Sequence, residues 1–100
     1  MSERYLLTLI ADPSLEEVLV DWLLEYEVSY GFTSSRIDGH SSRLEGLTLA
    51  EQVAGRRHLL CFAMCVDGRE LEFLLARLKL DFQGTGIQYW VVPVVLNGSV

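Results

Sequence analysis

The sequence is short of positive charge and contains no long apolar run. Its 100 residues include 8 lysines and arginines against 14 acidic residues, which gives a net charge of −6. Nucleic-acid binding needs a basic face and anionic membranes attract clustered Lys and Arg, so the sequence favours neither function. Apolar stretches such as HLLCFAMCV are far shorter than the ~18 residues of a membrane span. We therefore expect one domain over residues 1–100, with no nucleic-acid partner and no direct membrane insertion.

Cysteine is also scarce, and the N-terminal sequence does not resemble a secretory signal. MSERYLLTLIADP carries an acid at Glu3 and offers no small-residue cleavage site. We therefore expect a cytoplasmic protein whose two cysteines, Cys61 and Cys65, are reduced. They lie four residues apart on a predicted strand, about 13 Å along its axis, too far to share one metal ion within a chain. We interpret them as small core residues.

Groups typical of catalysis are missing as well. The sequence shows no nucleophile–base–acid set, no Walker-type phosphate loop and no pair of carboxylates in a cleft-like context. We therefore predict that the protein is not an enzyme.

The apolar periodicity predicts six elements in the order β-α-β-β-α-β. Helical spacing of apolar residues indicates a helix that begins after Asp12-Pro13 and ends near Tyr26, and a second helix that begins at Asp67. The inner faces of these helices are predicted to comprise Leu15, Val18, Leu19, Trp22, Leu23 and Tyr26, and Leu71, Leu74, Leu75, Leu78 and Phe82. The predicted strands are RYLLTLIA at 4–11, YGFTSSRID at 30–38, RRHLLCFAMCV at 56–66 and IQYWVVPVVL at 87–96.

Two linked β-α-β units of this length predict an α+β, ferredoxin-like plait with an antiparallel sheet. Its first and third strands are expected in the centre, because the second is polar and the fourth contains Pro93, which sheets tolerate mainly at edges. Such a plait covers only one sheet face with helices. The third strand is nevertheless apolar on both faces, so we expect another copy of the chain to cover the second face.

The polar stretch GFTSSRIDGHSSRLEG, residues 31–46, falls at the second strand and the connection that follows it. That connection, about 39–55, is longer than an ordinary hairpin loop, which is typical of a functional or disordered segment. Thr48 and Glu51 predict one capped helical turn in its second half, with Gly55 as the stop.

These residues resemble the PII family of signalling proteins, which are trimeric plaits. GFTSSRIDG is similar to the family's strand-two exit at the base of its T-loop, with Gly31, Phe32, Thr33 and Gly39 at corresponding places, and WVVPVV is similar to its last strand. GFTSSRIDGHSS, AEQVAGRRH and YWVVPV resemble more closely the bacterial domain-of-unknown-function family 3240, a PII-like family. This second resemblance covers nearly the whole chain.

The resemblance implies a homotrimer whose ligand site lies between subunits, where the exit of strand two meets the glycine turn QGTG of a neighbour. The residues expected at this site are Gly31, Thr33, Ser34, Gly39, His40, Ser41, Arg56, Gly84, Thr85 and Gly86. Glycines permit positive φ or close approach of a ligand, and the hydroxyls supply donors. Two departures weigh against ATP sensing in the PII manner: Gln88 stands where a phosphate-binding lysine is expected, and no arginine follows it.

Two functions remain open from the sequence. One is a regulator that binds a small ligand and, through the 39–55 connection, a protein partner, with a membrane transporter among the candidates. The other is copper- or zinc-linked metal tolerance, because the PII superfamily includes CutA-type proteins; His40 is then the expected ligand. The arginines can also be explained by surface solubility alone, and His40 by its place in a polar loop. The sequence does not identify a cofactor.

Overall fold

The computed structural model describes residues 3–26, 31–40, 48–54 and 56–100. The strands are β1 (Arg4–Ala11), β2 (Thr33–Gly39), β3 (Arg57–Asp67) and β4 (Gln88–Pro93), and the helices are α1 (Glu16–Glu25), α2 (Leu49–Ala54) and α3 (Gly68–Asp81). The sheet is antiparallel with the strand order β2-β3-β1-β4. The prediction of an α+β ferredoxin-like plait with the first and third strands in the centre is confirmed.

Both long helices begin where the sequence predicts, because an aspartate stands at the end of each central strand, Asp12 directly after β1 and Asp67 as the last residue of β3. Asp12 accepts a hydrogen bond from the Ser14 amide at 2.9 Å, and Pro13 then opens a 3-10 turn that leads into α1. Asp67 accepts from the Glu70 amide at 2.7 Å and caps α3. None of the helices among the described residues is long and apolar enough to cross a membrane.

The core lies between β1 and β3 on one side and α1 and α3 on the other. The Trp22 indole nitrogen, on α1, donates to Asp81 Oδ2 of α3 at 2.8 Å, which ties the two helices together. The buried core residues are Leu7, Leu9, Ala11, Leu19, Trp22, Leu23, Leu60, Phe62, Met64, Val66, Leu74, Leu78 and Phe82. The other predicted inner residues, Leu15, Tyr26, Leu71 and Leu75, pack against this core half-buried.

Three sequence predictions were wrong in detail. Val18 is 50% exposed, because it lies about 100° around α1 from the buried Leu19. β4 ends at Pro93 rather than 96. β2 begins at Thr33 rather than at residue 30, because Gly31 has φ of +70° and breaks the extended backbone; residue 30 itself lies outside the described residues.

Residues directly opposite one another in the sheet lie on the same face, so the strand register sorts the two faces. The pairs Leu7–Met64 and Leu9–Phe62 face the helices. The middle of the opposite, helix-free face is built from Leu6, Thr8, Ile10, Leu59, Cys61, Ala63, Cys65, Trp90 and Val92, and polar residues such as Thr33, Ser35 and Gln88 lie on its edges. This face is apolar, as the alternation in the third strand predicts, and Trp90 is 50% exposed on it.

Candidate functional site

The antiparallel register brings part of the predicted ligand site to one end of the sheet. There β1 and β2 finish while β3 and β4 begin, as the pairs Gly39–Arg57 and Ile10–Gln88 show. We refer to this as the loop end, because the 39–55 connection leaves and returns here. Gly39, His40 and Arg56 all lie at the loop end, and Gly84–Gly86 precedes β4 at the same end.

The described part of the chain does not bring the remaining predicted residues together. Thr33 pairs with Ala63, six positions along β2 from Gly39, and Gly31 lies beyond it. Ser34 is opposite Phe62 and points toward the helix side, so it does not share a face with Thr33. Gly84–Gly86 lies at the far edge, three strand spacings or about 14 Å from β2. Ser41 is outside the described residues.

The glycines of the predicted site are explained by two different structural features, a positive φ at some positions and a close neighbouring side chain at another. Gly31, Gly84 and Gly86 have φ values of +70°, +80° and +78°, which supports the expectation that these positions favour glycine. Gly39 is not in the left-handed region; a Cβ there would lie 2.7 Å from Leu59 Cδ1. Glycine at 39 is therefore explained by the close packing of a side chain on β3.

A polar concavity of about 500 Å³ forms at the loop end between α2 and the starts of α1 and β3. It is lined by Asp12, Pro13, Thr48, Ala50, Glu51, Arg56 and His58. Arg56 is the predicted residue that contributes a cation to this concavity. His58 was considered from the sequence only as a metal ligand, and Asp12 and Glu51 only as helix caps, so sequence reasoning did not place these three at the ligand site.

Glu51 anchors α2 to the sheet beside this concavity. Its Oε1 accepts from the Thr48 amide at 3.0 Å while the Thr48 hydroxyl accepts from the Glu51 amide at 3.1 Å, which confirms the predicted capping pair. Its Oε2 accepts from the His58 amide of β3 at 2.8 Å. These amide hydrogen bonds lower the pKa of the Glu51 carboxyl. The predicted stop at Gly55 lies outside the described residues.

The basic side chains at the loop end contact exposed carboxylates. Asp38 on β2 contacts both Arg56 Nη1 at 3.5 Å and His58 Nδ1 at 3.4 Å, and Arg57 contacts Asp12 at 3.4 Å. The side chains in these pairs are roughly half exposed, so each pair contributes little to stability. A ligand with an anionic group can therefore compete with Asp38 for Arg56 at small cost. Asp38 stands 18 residues before Arg56 in the sequence, so it can be identified as the partner of Arg56 only from the pairing of β2 with β3.

The glycine turn before β4 carries a second, smaller concavity of about 220 Å³. The Thr85 hydroxyl donates to the Phe82 carbonyl at 2.7 Å, so its hydrogen is used within the turn. Beside the turn, Lys79 Nζ lies 5.6 Å from the centre of the Tyr89 ring. The sequence comparison missed this lysine because it belongs to α3, nine residues before Gln88, rather than to the strand.

The described residues provide no group of three or more His, Cys, Asp or Glu that could hold a metal ion. His40 is exposed directly after β2, and His58 lies at the same end of the sheet. Cys61 and Cys65 are half-buried on the helix-free face rather than part of the core between sheet and helices. Their predicted placement in that core was therefore wrong, because odd-numbered residues of β3 point away from the helices.

Comparisons with known proteins agree with this architecture. The sequence profile of DUF3240, described as a protein of unknown function, matches residues 1–100. A DUF3240 protein from Shewanella baltica is 29% identical with a TM-score of 0.78, covering 100% of this chain and 99% of the other. No curated protein matches the sequence.

Two more distant structures share the fold. CPII from Thiomonas intermedia, a nitrogen regulatory PII-like protein bound to ADP, AMP and bicarbonate, is 17% identical with a TM-score of 0.71, covering 98% and 97% of the two chains. CutA from Synechococcus elongatus is 14% identical with a TM-score of 0.68, covering 94% of this chain and 79% of the other. At these identities the likeness concerns the fold alone.

Proposed function

This chain belongs to the DUF3240 family, and from that premise we propose that it is a PII-like regulatory protein. It forms a homo-oligomer, binds a small ligand at the loop end of the sheet, and contacts a partner protein through the 39–55 connection. The observation that carries the proposal is the polar concavity at the loop end, where Arg56 is held by an exposed carboxylate.

Ligand binding at this place would be transmitted to the connection because its returning end lines the concavity and its departing end is joined to Arg56 through Asp38. The connection leaves β2 directly after Asp38 and Gly39, and it returns through α2, which Thr48 and Glu51 fix to β3. An anionic ligand that binds Arg56 breaks the ion pair between Arg56 and Asp38. The contacts at the end of β2, where the connection begins, then change. A ligand shifts a conformational equilibrium by its differential affinity for the two states, and Arg56 provides such a difference.

Assembly would complete the site. The helix-free face is too apolar for water, and a charge-poor patch rimmed by polar residues is typical of a contact between subunits. Gly84–Gly86 of the same chain lies at the β4 edge, two strand spacings or about 10 Å from Arg56 at the start of β3, and the proposal has the turn of a neighbour supply this part of the predicted site. The homotrimer implied by the family resemblance remains part of this proposal.

The chemistry of the concavity favours a ligand with at least one anionic group. CPII, which shares the fold, is described with ADP, AMP and bicarbonate, so nucleotides and bicarbonate are the first probes. Lys79, beside the glycine turn, supplies a positive charge that partly replaces the phosphate-binding lysine expected at position 88, where this chain has Gln88.

A thermal-shift panel of these compounds tests the proposal. A ligand at 100 times its dissociation constant stabilises the folded form by about 2.7 kcal/mol per site. For a domain of this size that corresponds to a rise in Tm of about 10–20 °C. Arg56→Gln should remove the shift, whereas the matched control Arg69→Gln, at the start of α3 and at the other end of the sheet, should keep it. A shift that survives Arg56→Gln would contradict this site.

Gly39→Val is a less direct test, because a Cβ at position 39 would force the Leu59 side chain to move. Oligomer formation is tested separately by light scattering. A stable monomer at micromolar concentration would contradict the proposed assembly but would leave the result of the ligand experiment unchanged.

Metal tolerance of the CutA type is the alternative. The observation in its favour is that both histidines of the sequence, His40 and His58, lie at the loop end. His40→Ala should abolish a thermal response to copper or zinc but barely change the response to an anionic metabolite. The reverse pattern would favour the regulator.

A further inference from the structure

The outer side of α3 carries an apolar stripe that takes no part in the core. Phe73, Ala76 and Leu80 follow one another at intervals of three and four residues, which places them on one side of the helix. Phe73 is 55% exposed and Leu80 is 64% exposed, whereas Leu74 and Leu78 on the inner side are buried. Ala76 is exposed as well. Alternating intervals of three and four residues are typical of a seam that packs against another helix.

α1 lies beside this stripe and presents only negative charge. The rings of Tyr26 at its end and Phe73 on α3 have centres 5.5 Å apart. The sequence of α1, EEVLVDWLLE, contains no lysine or arginine. Glu17, Asp21 and Glu25 recur every four residues on its outer side, and all three are exposed. None of the three forms an ion pair with another of the described residues.

The basic residues of α3 do not neutralise these carboxylates. Arg77 is paired within the helix layer, and Lys79 lies over the Tyr89 ring on the β4 side. Arg69 stands one turn before the stripe, at its end. Glu72, which is exposed, adds a carboxylate on the flank of the stripe that faces away from α1. The middle of the stripe therefore lies between acidic side chains.

We propose that this outer surface of α1 and α3 docks a basic amphipathic helix of a partner protein. The apolar side of that helix packs on Phe73, Ala76 and Leu80, as in other contacts where an amphipathic helix lies on an apolar surface. Axes of packed helices are about 8–10 Å apart, so long basic side chains of a helix resting on α3 can reach Asp21 and Glu25 of α1. This contact is additional to the partner contact proposed for the 39–55 connection.

Charge selects this occupant over the alternatives. The chain has a net charge of −6, and a second copy laid on the same surface would bring its own α1 carboxylates against these. Anionic lipid headgroups would be repelled in the same way. The assembly proposed above uses the helix-free face, on the other side of the sheet, so the outer surface of the helices stays accessible in it.

A synthetic peptide of known composition is the probe. It is a fluorescein-labelled helix of about 21 residues with leucine at both seam positions of each heptad and lysine beside the seam. In the matched peptide, glutamate replaces every lysine. Fluorescence anisotropy with the full chain should show saturable binding of the lysine peptide, weakened by salt, and no binding of the glutamate peptide.

Two pairs of variants locate the binding. Leu80→Gln should weaken binding of the lysine peptide at least about 10-fold, whereas Leu96→Gln, which removes an equally exposed leucine near the end of the chain, should not. Asp21→Asn should weaken it about 3-fold or more, whereas Glu3→Gln, which leaves the same net charge, should not. All four positions are exposed, and circular dichroism verifies that each variant is folded.

The contrary results are distinct. Absence of binding, equal binding of both peptides, or equal effects of Leu80→Gln and Leu96→Gln would overturn the proposal. A lower mass of Leu80→Gln in light scattering would assign the stripe to a second copy instead. Sedimentation with vesicles of phosphatidylcholine and phosphatidylglycerol that Leu80→Gln abolishes would assign it to a lipid surface. None of these results depends on whether an anion binds at Arg56, so the ligand site and this surface can fail separately.

Discussion

The two faces of the sheet use the same strands and differ mainly in what covers them. On the face toward α1 and α3, Leu9 and Phe62 are completely buried. On the helix-free face, Thr8 and Ile10 in the middle are already less than a tenth exposed, while Trp90 at the β4 side is half exposed. The first face is covered by helices of the same chain, whereas none of the described residues forms a layer over the second, apolar face.

The two faces should therefore affect two different quantities, the free energy of unfolding of one chain and the affinity between chains. The helix-covered face holds one chain together, so its packing should determine the free energy of unfolding. The helix-free face contributes little until a second chain removes it from water, so its composition should determine association instead. Adjacent residues of β3 point to opposite faces, and substitutions one position apart can therefore test the comparison.

The largest effect is expected from Phe62→Ala on the helix-covered face. Phe62 is fully buried between β1 and the helices, so its removal leaves a cavity that the core cannot fill. We expect a loss of about 3–5 kcal/mol in the free energy of unfolding. Urea unfolding followed by circular dichroism measures it. A loss below about 1 kcal/mol would show that this face is not the main source of stability.

One residue away, Cys61→Asp should leave the fold intact and break the assembly. Cys61 lies on the helix-free face opposite Ile10, so a carboxylate there would be buried by a second copy without a partner. We expect association to weaken about 100-fold or more, equivalent to about 3 kcal/mol. Light scattering measures the mass, and an unchanged far-UV spectrum shows that the chain is folded.

Cys61→Ser is the matched control, since it keeps the volume and adds no charge. It should weaken association far less than Cys61→Asp. An oligomer that persists in Cys61→Asp would mean that copies meet through some other surface.

Much of the fold could be predicted because local signals and the overall pattern agree. Asp12-Pro13 and Asp67 mark the helix starts at single residues, and the strand order follows from which strands are polar or contain proline. Val18 was misplaced because an apolar residue at the border of a helical stripe fits either side. The end of β4 was missed because VVPVVL continues to look like a strand beyond Pro93, although none of the strands in the described part of the chain accompanies it beyond Val94.

The candidate site was less predictable because it depends on register and on side-chain partners. Gly39 and Arg56 were named from the sequence, but the bond from Arg56 to Asp38 requires the β2–β3 pairing, and the bond from the His58 amide to Glu51 requires the placement of α2 beside β3. Gly31 and Thr33 were grouped with Gly39 because the family resemblance places all three at the exit of strand two. A strand separates such residues by about 3.3 Å per position, which places them in different surroundings.

Substitutions of the two tryptophans compare the faces through a smaller expected loss of stability, since one tryptophan lies on each side of the sheet. Trp22→Phe removes the hydrogen bond to Asp81 and some buried ring, so the isolated chain should lose about 1.5–3 kcal/mol. Trp90→Phe should cost the isolated chain less than about 0.5 kcal/mol, because Trp90 is half exposed there. Unfolding at concentrations below assembly measures both. Equal losses would contradict the distinction between the faces.

The smallest effect concerns acid pH, which should act on the helix layer through its caps. The hydrogen bonds from the Ser14 hydroxyl and amide hold the pKa of Asp12 below its ordinary value, and Arg57 lowers it further. A carboxyl whose pKa is lower in the folded chain stabilises it above the unfolded pKa of about 3.9 and loses this contribution as pH falls through the folded pKa. The middle of the helix-free face, between Leu6 and Ile10 of β1, carries no carboxylate among the described residues.

Asp12→Asn isolates this contribution, because asparagine is as good an N-cap as aspartate but has no charge to lose. At pH 7 the variant should be less stable than the wild type by less than about 1 kcal/mol, since Asp12 is well exposed and its ion pair is screened. The difference should shrink as pH falls below about 4 and vanish once the wild-type carboxyl is protonated. Glu51 titrates in the same range in both proteins, so comparing the two cancels its effect. Urea unfolding at several pH values between about 7 and 2 provides the test, and a difference that stays constant down to the lowest pH would show that packing at the cap, rather than charge, distinguishes the two side chains.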